Sequence, residues 1–115
     1  MTTRIAVTGG AGLVGGAVID RLIAEGAEIV ALARTPSKFA RWEGCVALVA
    51  GDLADAEACA ELVDGADGVV HCAGVTHARA DSEYVAVNVA GAAAVAGAAA
   101  RAGARLVHAS SLSAR

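Results

Sequence analysis

The sequence has 115 residues, of which 57% are hydrophobic and 18% charged, and its formal net charge is −3 at pH 7. This length predicts a single domain with one core, and the apolar fraction excludes a disordered chain. A nucleic-acid surface needs clustered Lys and Arg, so the acidic balance predicts no nucleic-acid partner. Glycines interrupt the first apolar run and no run is long enough to cross a bilayer, so we expect neither export nor a membrane span.

The three cysteines are odd in number and widely spaced, which makes a disulfide framework unexpected and favours a reducing, cytoplasmic setting. They are Cys45, Cys59 and Cys72. We interpret all three as small buried apolar residues. A metal site would combine Cys72 with His71, His77 and His108. These residues lack a second ligand pair at a recognised spacing, so we expect no metal.

The first half of the chain alternates apolar runs with one helical repeat. Arg4–Thr8 is a short β-branched run that stops at a glycine cluster, which predicts a buried strand. Apolar side chains recur at helical spacing over Gly12–Glu25, and Gly26 supplies the end of this helix. These side chains are Leu13, Val14, Val18, Leu22 and Ile23. A second strand at Glu28–Ala33 precedes a turn and a short helix or loop over Pro36–Trp42.

The second half continues the same alternation. Cys45–Ala50 predicts a third strand, and Asp55–Val63 a helix that the Asp55 side chain caps. Asp67–Ala73 predicts a fourth strand. A long Ala-rich helix over Asp81–Ala102 then leads to a fifth strand at Arg105–Ser110.

Continuous apolar strands separated by helices are typical of a parallel sheet covered on both faces. Right-handed crossovers and a glycine turn after the first strand favour a doubly wound, Rossmann-like sheet with strand order 3-2-1-4-5. We therefore predict an α/β fold of this class over residues 1–115.

The most informative segment is TGGAGLVG at residues 8–15, between the first strand and the first helix. In this context Gly9 makes the sharp turn, Gly12 lets the backbone approach a pyrophosphate, and Gly15 lets the helix press on the sheet. The amide N–H groups of Leu13 and Val14 then meet the phosphates at the helix start. The alternative is a tight strand-to-helix turn without a ligand.

The end of the second strand discriminates between dinucleotides. NAD sites place Asp or Glu there to bind the ribose hydroxyls. This sequence instead has Arg34 after the strand and Lys38 four residues later. A guanidinium suits a 2′-phosphate, so we predict NADP as the cofactor, with NAD as the second choice. Alternatively, Arg34 is a solvated loop cation.

Five segments in this order resemble the NAD-dependent epimerase/dehydratase family of the extended short-chain dehydrogenase/reductase superfamily, in its N-terminal part. They are TGGAGLVG at 8–15, GDLAD at 51–55, VVHCAG at 69–74, VNVAG at 87–91 and ASSLS at 109–113. The resemblance implies that Asp52 and Leu53 contact the adenine ring, although Asp52 is equally suited to cap the next helix. It also implies that the small residues Cys72, Ala73 and Gly74 line the adenosine and ribose side of the cleft.

Two further residues carry roles by the same resemblance. Asn88 contacts the cofactor or forms a structural hydrogen bond, and Ser111 binds the substrate oxygen, with Ser113 as a second candidate and local backbone pairing as the alternative. Family members use a Tyr and a Lys four residues later as the acid/base pair. The only tyrosine is Tyr84 and the only lysine is Lys38, so the pair is absent from this sequence.

The resemblance places that pair and the C-terminal, substrate-binding part of the family fold beyond Arg115. We therefore expect the NAD(P)-binding domain of an epimerase, dehydratase or reductase that acts on a sugar nucleotide or a small carbonyl or alcohol. A non-catalytic redox sensor or accessory subunit is the alternative, and a truncated product without function is a third. Missing later helices would leave the sheet uncovered, so we expect self-association.

Overall fold

The computed structural model describes residues 3–72 and 81–108, with side chains for these except residues 81–90 and 108. Five strands are formed: β1 Arg4–Thr8, β2 Glu28–Ala33, β3 Val46–Ala50, β4 Gly68–His71 and β5 Arg105–His108. The helices are α1 Leu13–Ala24, α2 Ala56–Val63 and α3 Asp81–Ala102, with a 3₁₀ helix at Pro36–Trp42. Strands β3 and β4 are slightly shorter than predicted, and the predicted strand residues Ala73, Ala109 and Ser110 lie outside the described residues.

The strands form one parallel sheet in the order β3-β2-β1-β4-β5, which confirms the predicted doubly wound α/β fold. The chain leaves β1 toward β2 on one side and later returns to pair β4 on the other side. Thr8, the last residue of β1, lies beside His71, the last residue of β4. A crevice between such neighbouring strand ends is where open α/β sheets bind ligands.

Helices cover the two faces of the sheet unequally. On one face, α2 and α3 pack over the sheet and bury a cluster that includes Ala6, Val30, Leu62 and Val95. On the other face, α1 and the 3₁₀ helix cover only β1, β2 and β3. Their cluster includes Val7, Ile19, Ile29, Phe39 and Trp42. Strands β4 and β5 therefore have no described helix on the α1 side.

The first turn of α1 faces inward with its glycines. Leu13 is 93% exposed and Val14 is 56% exposed, whereas Gly15, Gly16 and Ile19 are buried. Glycines allow the closest approach of a helix to its neighbours, so packing selects the glycine face of α1. The apolar periodicity correctly predicted the helix, and the first two of its apolar side chains, Leu13 and Val14, face solvent.

Two helix ends follow their sequence signals. The Asp55 side chain accepts hydrogen bonds from the amides of Glu57 and Ala58, which confirms it as the N-cap of α2. Gly26 adopts a φ of 81° after α1, and its N–H donates to the Ile23 carbonyl at 3.0 Å. This left-handed glycine ends the helix as predicted.

Some apolar residues in or next to the outer strands of the sheet are exposed. Leu106 is 40% and Val107 59% exposed in β5, because no described element lies beyond that strand. Cys45 is exposed just before β3, so its prediction as a buried residue was wrong, whereas Cys59 is buried and Cys72 half-buried. No helix within the described ranges has the length and apolar character that a membrane crossing requires.

Substitution of Asp55 by Ala removes the side-chain acceptor for two N-terminal amides of α2. We expect the free energy of unfolding to fall by about 1 kcal/mol, the usual value of an N-cap. Urea denaturation followed by circular dichroism measures this change. Asp64→Ala is the matched control, because Asp64 follows the other end of α2. An equal loss in both variants would show that the cap is not the cause.

Candidate functional site

The glycine turn that joins β1 to α1 is held by backbone contacts. Gly9 adopts a φ of 71°, which side chains rarely tolerate, and the Gly12 N–H donates to the Gly9 carbonyl at 3.1 Å. A Cβ atom on Gly15 would lie 2.6 Å from the Gly9 carbonyl carbon and 2.9 Å from the Gly10 Cα. The first turn of α1 therefore rests directly on the glycine turn, and only glycine fits at Gly15.

The start of α1 is open to solvent and uncapped. Gly12 is the N-cap residue and offers no side-chain acceptor, and the first turn contains no acidic residue. Within the described part of the chain, a Cβ on Gly12 would meet only the Gly9 carbonyl oxygen, at 3.4 Å. The first amide N–H groups of a helix lack intrahelical partners, and they attract anions together with the helix dipole. An exposed glycine backbone with these amides fits a pyrophosphate.

Gly10 and Gly16, to which the sequence motif assigns no role, leave room for side chains of α1 and the 3₁₀ helix to pack against this turn. A Cβ on Gly10 would lie 2.6 Å from the Ile19 side chain and 2.9 Å from the Phe39 ring. A Cβ on Gly16 would lie 3.0 Å from an Arg41 Nη atom and 3.6 Å from the Trp42 ring. The signal for this contact was the presence of Phe39 and Trp42 in a chain that is only 3% aromatic.

A buried polar contact joins the ends of β1 and β4 beneath the crevice. Thr8 Oγ1 and His71 Nδ1 share a hydrogen bond of 2.6 Å, and both side chains are fully buried. The Cys72 N–H donates to both the Thr8 carbonyl and the Thr8 hydroxyl, at 3.1 Å each. The start of the segment after β4 is therefore fixed to the last residue before the glycine turn. A His inside the apolar run VVHCAG was the sequence signal for this pair.

The residues that follow β2 present positive charge without a carboxylate. Arg34, Thr35 and Lys38 are exposed. Among the described residues, neither Arg34 nor Lys38 forms an ion pair or a side-chain hydrogen bond. Arg41 is different, because it lies 3.4 Å from Asp20 Oδ2 and stacks over the Trp42 ring at 4.1 Å. Arg34 and Lys38 are thus the cations with donors to offer an anion here.

The segment after β3 shows how its acidic residues are used. Asp52 Oδ1 accepts a hydrogen bond from the Ala54 N–H at 2.9 Å, while Asp55 caps α2, so Asp52 is not the helix cap. The exposed Asp52 carboxylate lies at the same edge of the sheet as Arg34 and the glycine turn. Leu53 packs toward α3, where a Cβ on Gly91 would lie 2.7 Å from its side chain. The adenine contact of both residues stays a prediction.

The thiols near this edge are held neutral. Burial raises the pKa of the half-buried Cys72 thiol. Burial, followed by the negative charges of Asp55 and Asp52, raises the pKa of Cys59. At neutral pH both therefore behave as small, weakly polar groups. Within the part of the chain that the structure describes, no three His, Cys, Asp or Glu residues are grouped to hold a metal.

The structure brings most of the predicted site residues to one edge of the sheet. Gly9, Gly12, Leu13, Val14 and Gly15 follow β1, and Arg34, Asp52 and Cys72 follow the next three strands. Ala73, Gly74, His77, Ser111 and Ser113 lie outside the described residues. Asn88 belongs to α3, but its side chain is not among those described.

Several proteins of known sequence or structure resemble this chain. A 3 beta-hydroxysteroid dehydrogenase/Delta 5-->4-isomerase of Mycobacterium tuberculosis is 36% identical over 96 residues, which cover 76% of this chain and 26% of that protein. The structure of glucuronic acid dehydrogenase from Chromohalobacter salexigens superposes with a TM-score of 0.80 and 35% identity, covering 97% of this chain and 42% of that one. A short-chain dehydrogenase/reductase superfamily protein from Agrobacterium tumefaciens with bound NAD has a TM-score of 0.78 and 33% identity, covering 94% and 32%.

This chain thus spans less than half the length of each of these three proteins. The model of the NAD dependent epimerase/dehydratase family matches residues 5–114, nearly the whole sequence. Together with the glycine turn and the strand order, this match assigns the fold as the N-terminal, dinucleotide-binding type of that family. The chain belongs to the NAD dependent epimerase/dehydratase family.

Proposed function

We propose that this chain is the NAD(P)-binding domain of an oxidoreductase that interconverts an alcohol and a carbonyl on a sugar nucleotide or another small molecule. The observation that carries the proposal is the exposed, uncapped start of α1 after the glycine turn, beside the crevice between β1 and β4. A bound nicotinamide dinucleotide supplies a hydride acceptor or donor. The residues of this chain bind and orient it.

Each predicted residue has a defined part in this proposal. The amides of Leu13 and Val14 bind the pyrophosphate, and the bare backbone of Gly12 lets it approach. Arg34 binds the 2′-phosphate of NADP, because a guanidinium forms charge-assisted bonds to phosphate oxygens. The remaining predicted contacts are Asp52 and Leu53 to adenine, Cys72, Ala73 and Gly74 to the adenosine ribose, and Asn88 to the cofactor.

The proposed reaction class is supported by the relatives. One is named a glucuronic acid dehydrogenase and another a 3 beta-hydroxysteroid dehydrogenase/Delta 5-->4-isomerase, so both names describe a dehydrogenase. Ser111 would bind the substrate oxygen in such a reaction. The sequence lacks a Tyr with a Lys four residues later, so we expect negligible turnover from these 115 residues alone. The second candidate is a non-catalytic redox sensor or accessory subunit.

The two candidates differ in what must accompany the chain. Both require the cofactor site, because a sensor of the dinucleotide also has to bind it. Only the oxidoreductase requires an acid/base pair in the same protein, so the coding sequence after Arg115 discriminates between them. If that coding sequence contains a Tyr followed four residues later by a Lys, it supports the oxidoreductase.

The Gly12→Ala variant tests the pyrophosphate site without disturbing the fold. Gly12 has a φ of −81° and ψ of 173°, which Ala adopts freely, and among the described residues the new methyl group meets only one atom within 4 Å. That methyl group occupies the space in which the pyrophosphate approaches. We expect the Kd for NADH and for NADPH to rise at least about tenfold, which corresponds to about 1.4 kcal/mol. Calorimetric titration measures both constants.

The matched control is Gly97→Ala, at a half-buried position of α3. Of the described residues, the methyl group there meets only the flexible end of Arg101, and Ala stabilises a helix interior relative to glycine. We expect unchanged dinucleotide affinity in this variant. Retained affinity in Gly12→Ala would contradict a pyrophosphate site at this turn.

The preference between the two dinucleotides is a separate test. We expect the chain to bind NADPH more tightly than NADH, and Arg34→Ala to lower the affinity for NADPH about tenfold without changing that for NADH. The reason is that only NADPH presents a phosphate to Arg34. Fluorescence titration with both dinucleotides measures the ratio of the Kd values. Equal constants in the unmodified chain would contradict the NADP assignment.

We further infer that the chain self-associates through the side of β4 and β5 on which no described helix lies. Val107 is exposed there beside Val70, its neighbour in the register. Analytical ultracentrifugation is expected to show a mass that rises with concentration. Val107→Lys should shift this equilibrium toward monomer, whereas Ala60→Lys, on the exposed side of α2, should not. A monodisperse monomer that unfolds cooperatively would contradict the inference.

A further inference from the structure

The 3₁₀ helix Pro36–Trp42 is fastened to α1 by its two aromatic side chains. Phe39 and Trp42 are both buried, and their ring centroids are 5.7 Å apart. Phe39 reaches the space left by Gly10, and Trp42 covers Gly16. This packing links the segment after β2 to both the glycine turn and the helix that follows it.

A polar contact at the rim orients the same segment. The Trp42 indole N–H donates to Asp20 Oδ1 at 2.8 Å, and an Arg41 Nη atom lies 3.4 Å from Asp20 Oδ2. Asp20 belongs to α1, so one carboxylate of α1 receives two donors from the 3₁₀ helix. An indole fixed at its nitrogen cannot slide in its packing site, because a shift would break a hydrogen bond to a charged acceptor.

The fastened segment is the one that carries the exposed cations. Arg34 lies directly before it, Lys38 lies within it, and the Lys38 N–H donates to the Thr35 carbonyl at 3.0 Å. Long Arg and Lys side chains lose conformational entropy when they bind a phosphate, and that loss increases when the backbone beneath them is also free to move. The backbone position of this segment therefore affects how well its cations bind an anion.

We propose that Trp42, with its partner Asp20, is a positioning residue that determines the preference for NADPH over NADH. Trp42 holds the segment from Arg34 to Lys38 against α1, and Phe39 sets its distance from the glycine turn. The inference rests on the proposed function, because it assumes that Arg34 binds the 2′-phosphate. It adds that this contact depends on residues that touch no part of the cofactor.

A change in the position of this segment is expected to affect the binding of NADPH but not that of NADH. The pyrophosphate contacts lie on the glycine turn and the start of α1, and NADH and NADPH share them. Only the 2′-phosphate is held by the segment after β2. Loosening that segment therefore weakens the binding of NADPH and leaves the binding of NADH unchanged. A general loss of stability would weaken the binding of both.

Two variants test the proposal on the full chain. Trp42→Phe keeps an aromatic ring but removes the N–H donor, and Asp20→Ala removes the acceptor from an exposed position on α1. For each we expect the ratio of the Kd for NADH to the Kd for NADPH to fall at least about threefold, as a lost hydrogen bond implies, with the Kd for NADH unchanged. Asp20→Ala also removes the Arg41 contact, so the double variant should lower the ratio no further than Asp20→Ala alone.

Leu62→Ala is the matched control. Leu62 is buried in the cluster under α2 and α3, on the opposite face of the sheet, so this change destabilises the protein without touching the 3₁₀ helix. We expect its ratio to equal that of the unmodified chain. A ratio that falls equally in Leu62→Ala, or stays unchanged in both Trp42→Phe and Asp20→Ala, would overturn the proposal.

The Arg34→Ala variant separates this inference from the proposed function. If the unmodified chain prefers NADPH and Arg34→Ala abolishes that preference while Trp42→Phe and Asp20→Ala keep it, the NADP assignment stands and the positioning role is wrong. If the unmodified chain shows no preference, the NADP assignment is wrong and the positioning role is overturned with it. Loss of preference in all three variants supports both.

Discussion

The close contact between Gly15 and the Gly9 carbonyl determines how α1 sits on the sheet. Because Gly15 has no side chain, the first turn of the helix rests on the backbone of the turn that precedes it. This contact sets the direction of the helix axis and of the N–H groups at its start. It also brings Gly16 and Ile19 inward, so that the 3₁₀ helix can pack beside them. The Gly15–Gly9 contact therefore positions both the candidate phosphate site and the segment that carries Arg34 and Lys38.

A second constraint is the buried polar contact between the ends of β1 and β4. The Thr8 hydroxyl joins His71 and the Cys72 amide, and so ties the ends of β1 and β4 together just before the glycine turn. A buried polar group has to find a partner, so such a pair favours one register between the two strands. These contacts thus fix the ends of β1 and β4, whereas the segments after β2 and β3 are positioned by side-chain packing.

The strands and their order could be predicted because continuous apolar runs and a glycine turn reflect local chemistry. The glycine spacing predicted the close approach at Gly15, but no pattern predicted that Gly16 would be buried beside it or that Leu13 would be 93% exposed. The Thr8–His71 pair spans 63 positions and depends on strand register. Asp20 and Trp42 contact Arg41 rather than Arg34 or Lys38. This arrangement depends on the geometry of a turn, which no periodic pattern in the sequence contains.

The exposed side chains at the start of α1 have a consequence for which positions tolerate change. The site proposed there uses backbone N–H groups, and the Leu13 side chain, almost wholly exposed, contributes nothing to them. The side chains at Leu13 and Val14 can therefore change without loss of these amide donors, and they can suit any surface that packs over this helix. Gly9 and Gly15 have no such freedom, because one requires a left-handed backbone and the other an empty Cβ position. Between residues 9 and 15, positions that accept many side chains therefore lie next to positions that require or strongly favour glycine.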